Sequence, residues 1–176
     1  MGTSAMTTGL AALLLTMIVP ISATAQTQTF SREGIEFTLE LPSPAWRTVS
    51  RLDVHTHVEF INGDDPGDGY LRLRKRLVPA GPSADDLFRY DEKWELQRLP
   101  GYIVCRNGNG ADLSGHLKGK AFSYEYVHEG KNMDGRIYYL QVDSRTFYIL
   151  HFTIASDRFP GLREQIDAVA RSFRLR

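Results

Sequence analysis

The chain has 176 residues, 42% hydrophobic and 24% charged, which fits one domain with a full core and excludes both a disordered chain and a pair of large domains. Lys plus Arg equals Asp plus Glu at 21 each, so there is no net charge and no global field to draw in nucleic acid or an anionic membrane. Cys105 is the only cysteine, which excludes a disulfide within the chain and leaves stability to packing.

Residues 1–25 carry no charged side chain. An apolar run from Leu10 to Ile21 leads into Ala23-Thr24-Ala25, an A-x-A pattern that predicts an export signal cut after Ala25. The run is about 12 residues, short for a bilayer span. The segment before it lacks Lys and Arg, so an uncleaved N-terminal anchor is the rival reading. The expected location is periplasmic or secreted, with 26–176 as a single domain.

Ile35, Phe37, Leu39 and Leu41 alternate with polar residues, the period of a strand with one wet face; Pro42 and Pro44 end it, and Trp46 follows in a loop. Residues 54–60 alternate again, with Val54, Val58 and Phe60 opposite His55, His57 and Glu59. The run Asn62 to Gly69 is a dense turn signal, and 70–78 is the next strand, so 54–78 reads as a hairpin. Ser83 is a helix N-cap with Asp85 and Asp86 in the first turn, and Leu87, Tyr90 and Trp94 are the expected buried stripe. Pro100-Gly101 stops the helix.

A short strand spans 102–105, where Cys105 reads as a buried structural thiol. Three strands follow, near 119–128, 135–143 and 146–154, joined by Glu129-Gly130-Lys131-Asn132 and Asp143-Ser144-Arg145 as hairpin connections. Residues 147–154 are apolar on both faces apart from His151 and Thr153, which predicts a central strand. A helix over about 160–173 places Leu162, Ile166, Val169, Ala170 and Phe173 on one face. The sum is an α+β domain on an antiparallel sheet.

The segment Gly-Ile-Glu-Phe-Thr-Leu-Glu-Leu-Pro-Ser-Pro-Ala-Trp at 34–46 resembles the opening of PsbP-like, Mog-like and DcrB-like proteins. The close, an aromatic strand, a loop and an amphipathic helix ending on Ser172-Phe173, is similar to theirs as well. The resemblance covers most of 30–175 in element order and implies an α/β/α sandwich. It also implies a tendency toward binding or assembly rather than catalysis, since one plant branch serves photosystem II and another branch binds a small GTPase. It transfers no functional residues.

The residues themselves offer three candidate features. His55, His57 and Glu59 share one strand face and would supply ligands to a divalent metal, though strand positions two apart are about 7 Å apart and diverge. The competing reading is a wet strand face, so no cofactor is assigned beyond that metal. Arg72, Arg74 and Arg76 form a second row, suited to an anionic partner or to cross-strand pairing with acids. The dense aromatics of the later strands line either an apolar ligand pocket or the core. No G-x-S-x-G motif or phosphate loop is present, and no catalytic residue is assigned. The expectation is a non-enzymatic exported accessory module that binds an envelope protein, with small-ligand or metal binding as the alternative.

Overall fold

The computed structural model describes residues 27–49, 57–105 and 110–176. The expected export signal at 1–25 and His55 lie outside the described residues. Elements follow in chain order. β1 (Gln28–Phe30), β2 (Phe37–Leu41), β3 (Trp46–Val49), β4 (His57–Asn62) and β5 (Tyr70–Leu77) precede helix α1 (Ala84–Trp94). Then come β6 (Ile103–Val104), β7 (Ala111–Ser114), β8 (Lys118–His128), β9 (Lys131–Gln141), β10 (Thr146–Ala155), helix α2 (Phe159–Ser172) and β11 (Arg174–Leu175).

The main sheet is eight-stranded, ordered β3-β4-β5-β10-β9-β8-β6 with β7 paired to β8, and a three-stranded sheet β1-β2-β11 lies apart from it. Every pairing is antiparallel. β10 sits at the centre between β5 and β9, which explains why both of its faces are apolar. One face of the main sheet carries Leu71, Leu73, Leu150 and Phe152 into a core closed by Ile166, Val169, Ala170 and Phe173 and by Phe37, Leu39 and Leu41 of the small sheet. The other face carries Phe122, Ile137, Tyr139, Phe147 and Ile149 against Leu87 and Phe88 of α1. The result is an α/β/α arrangement, as expected.

Local sequence explains the element ends. Ser83 caps α1 by accepting the Asp86 N–H at 3.2 Å, while the Asp86 carboxylate accepts the Ser83 N–H at 2.9 Å, a reciprocal box. Between β8 and β9 the turn shrinks to Glu129-Gly130, because 131 and 132 already belong to the strand. Both turn residues have positive φ, 49° at Glu129 and 76° at Gly130, as the twist of a two-residue hairpin demands.

Two expectations are corrected. The Trp46 loop is strand β3, which pairs with β4 from Trp46↔Asn62 to Val49↔Glu59 and forms a sheet edge. The buried stripe of α1 is Leu87, Phe88 and Asp91, whereas Tyr90 and Trp94 are 54% and 47% exposed. Phe88 sets that rotation by stacking on Phe122 at 4.1 Å, and Asp91 by meeting the sheet arginines; Tyr90 and Trp94 lie instead under the cations of Arg76 and Lys93. Leu77, which alternation would place with Leu71 and Leu73, is exposed at the end of β5, beyond the reach of the core.

Candidate functional site

Tyr138 and Tyr139 are consecutive on β9, so their side chains leave opposite faces of the sheet. Each phenol donates to an aspartate on the helix covering its side: Tyr138 to Asp167 of α2, and Tyr139 to Asp91 of α1 at 2.8 Å. On the α2 side Arg136 donates to Asp167 at 2.8 Å and to Ser123 at 2.7 Å. On the α1 side Asp91 accepts from Arg76 at 2.6 Å and from Arg74 at 3.4 Å. Burial and the adjacent carboxylate push the Tyr139 hydroxyl far up, so it stays a donor.

The row Arg72, Arg74, Arg76 thus exists on one face as the alternation predicts. Asp91 already engages two of the three guanidiniums, and Glu95 lies 3.7 Å from Arg74. Arg72 reaches His151 instead, with its Nη2 3.4 Å from Nδ1. A guanidinium only donates, so Nδ1 accepts, the ring proton sits on Nε2, and Nε2 donates to the Tyr124 hydroxyl at 2.6 Å. Burial first, then Arg72 and Arg74, pull the His151 pKa down to about 3, so the ring is neutral. Tyr124 reaches this position by lying across Gly135, where a Cβ would stand 2.1 Å from its ring.

Beyond α1 this face opens into a cleft of about 410 Å³. Tyr70, Tyr126, Met133 and Thr153 line its floor, and Asp65, His128, Glu129 and Lys131 line its rim. The Tyr126 and Thr153 hydroxyls are hydrogen-bond partners, and burial raises the Tyr126 pKa. A second trough of about 480 Å³ shares Asp65, Gly67 and Lys131 and continues to Asp157 and Arg158. A third, on the α2 face, holds Cys105, Glu125 and Asp134. There burial, with Glu125 beside it, pushes the half-buried Cys105 thiol up to about 11, so it is protonated and not a nucleophile at neutral pH.

Of the metal candidates, the register sets His57 opposite Arg74 and Glu59 opposite Arg72. Among the described residues no three His, Cys, Asp or Glu side chains gather as a metal site. Sequence reasoning missed Asp91, which lies within the apolar stripe of its helix at Leu87 plus four, and Asp167, which flanks the stripe one residue beyond Ile166. It also missed the cleft, whose floor comes from four strands and depends on their register.

No family model matches the chain, and no curated protein does. Solved structures do. CyanoP, the cyanobacterial PsbP of Synechocystis sp. PCC 6803, superposes with a TM-score of 0.60 at 15% identity, over 92% of this chain and 99% of that one. The Saccharomyces cerevisiae Ran-binding protein Mog1p gives 0.60 at 8% identity, over 86% and 96%. The fold is the one seen in CyanoP and Mog1p. LpqN, involved in cell envelope biogenesis of Mycobacterium tuberculosis, matches this chain with a TM-score of 0.52 at 17% identity, over 84% and 90%. Identities this low speak to fold alone. Among the described residues, no helix is long and apolar enough to cross a membrane.

Proposed function

We propose that the chain is an exported binding or assembly accessory module that engages a protein partner in the cell envelope. The observation that carries this reading is the fold, shared with a Ran-binding protein and with a protein of cell envelope biogenesis. The N-terminal apolar segment with its A-x-A site supports export. On the surface, Tyr90 and Trp94 of α1 stand exposed 6.4 Å apart, with cationic neighbours, a residue combination enriched at protein interfaces. The test is crosslinking from a photoreactive residue at 94 in the native envelope. A single partner recovered in near-stoichiometric amount, and lost from the Tyr90→Ala/Trp94→Ala variant, supports the reading. Background recovery from this position and from the Arg72–Arg76 row alike removes it.

A second reading, small-ligand binding, is favoured by the 410 Å³ cleft, whose size and mixture of aromatic floor and polar rim suit a small organic molecule.

A further inference from the structure

Three properties of the cleft beyond α1 narrow the chemistry of what it takes. The first is the floor. Tyr70 and Tyr126 bring two phenol rings to the cleft, and Met133 adds a polarizable thioether. Aromatic faces attract cations through their quadrupole, and most strongly where the site is partly withdrawn from water. Thr153, which also lines the cleft, is a hydrogen-bond partner of the Tyr126 hydroxyl.

The second is charge. Taken together, the cleft and the trough that shares its wall present the carboxylates of Asp65, Asp68, Glu129 and Asp157 against the cations of Lys131 and Arg158. Arg158 is already paired with Asp68. Among the described residues, that leaves Lys131 facing Asp65, Glu129 and Asp157. The chain as a whole is neutral, so this excess of negative charge belongs to the site.

The third is Glu129. It is the one described non-glycine residue with positive φ, at 49°, in a two-residue turn where Asn, Asp or Gly is the low-strain choice. A longer acidic side chain held there at a conformational cost places a carboxylate on the rim that Gly would not supply.

Resting on the small-ligand reading, we infer that this cleft binds an organic cation: an ammonium or guanidinium group on a small apolar body. The apolar part lies on Tyr70, Tyr126 and Met133, and the cationic head faces Asp65 and Glu129. Such a head belongs either to a free small molecule or to a Lys or Arg side chain offered by a partner.

The test is an NMR titration of the purified protein at constant ionic strength, following the amides of Tyr126, Met133 and Thr153. The probes are choline, its neutral isostere 3,3-dimethyl-1-butanol, the blocked peptides Ac-Gly-Lys-Gly-NH2 and Ac-Gly-Arg-Gly-NH2, and benzoate. Choline is expected to bind with a Kd below about 10 mM, and the neutral isostere about 5-fold more weakly or worse. Glu129→Gln and Asp65→Asn should each weaken choline about 2- to 5-fold, and Tyr126→Leu by about 5-fold, with unchanged spectra elsewhere. Tighter binding of a peptide than of choline assigns the cation to a partner's side chain; the reverse order assigns it to a free molecule. Equal binding of choline and its isostere, or preference for benzoate, overturns the cation inference while leaving a ligand site. Silence from every probe to about 50 mM overturns both.

Discussion

On the α2 face the main sheet meets Ile166, Val169, Ala170 and Phe173, none more than 2% exposed, with Leu39 and Leu41 of the small sheet behind them. On the α1 face it meets Leu87 and Phe88 and, beside them, the carboxylate of Asp91, itself 2% exposed. Each helix places an aspartate on an arginine and a tyrosine of the sheet, but the settings differ. Asp167 keeps 21% of its side chain in solvent, and the apolar contacts around it would hold α2 without the ion pair. Asp91 is enclosed, and two guanidiniums and a phenol converge on it. α2 is therefore held chiefly by burial, at about 1.5–3 kcal/mol for each large side chain, whereas α1 is held by a polar hub whose groups are costly to leave unmatched.

The most severe way to break this comparison is Asp91→Ala. It leaves Arg74, Arg76 and the Tyr139 hydroxyl without their acceptor, and urea unfolding should show a loss of about 3–5 kcal/mol. Asp167→Ala should cost less, about 1–2 kcal/mol by the same measurement, because the buried Arg136 keeps the Ser123 and Tyr138 hydroxyls as acceptors. Equal losses would mean that the two helices are held alike.

The pH dependence separates the faces further. His151 has a folded pKa of about 3 against an ordinary 6.5. Between those values the unfolded chain binds a proton that the native chain refuses. Stability is therefore full above about pH 6.5 and falls as pH drops toward 3, at no more than about 1.4 kcal/mol per pH unit. The residue keeps a solvent-facing margin, so the slope should fall short of that one-proton limit. Comparing the wild type with His151→Gln from pH 7 to 4 isolates this contribution, and the variant should show the shallower decline. The smallest effect is expected at the cleft rim, where Glu129→Gly removes the positive-φ strain and should raise stability by about 0.5–1 kcal/mol in thermal unfolding.

Much of this frame was legible in the sequence because alternation and helical periodicity report burial directly. The period-two run at 35–41 and the strand read at 70–78 marked β2 and β5, the apolar run at 147–154 marked the centre of the sheet, and Ser83 marked the start of α1. Short elements escaped for the same reason: Trp46–Val49 carries Arg47 and Thr48 on an edge, where only one buried residue signals a strand. Tyr90 and Trp94 misled because hydrophobicity ranks aromatic rings above Asp91, whereas the arginines of β5 favour the carboxylate. The cleft was illegible because its floor joins residues of β5, β8, β9 and β10 through register, and a periodic pattern fixes which face a residue takes but not its neighbour across the strand.

The adjacency of Tyr138 and Tyr139 has a consequence for how the sheet assembles. Sliding β9 by a single residue against β8 and β10 would exchange their sides, carrying each hydroxyl away from its aspartate at once. Misalignment would thus cost both layers together, so the two phenols act as registration marks by which an antiparallel ladder of long, aromatic strands rejects its nearest wrong pairing.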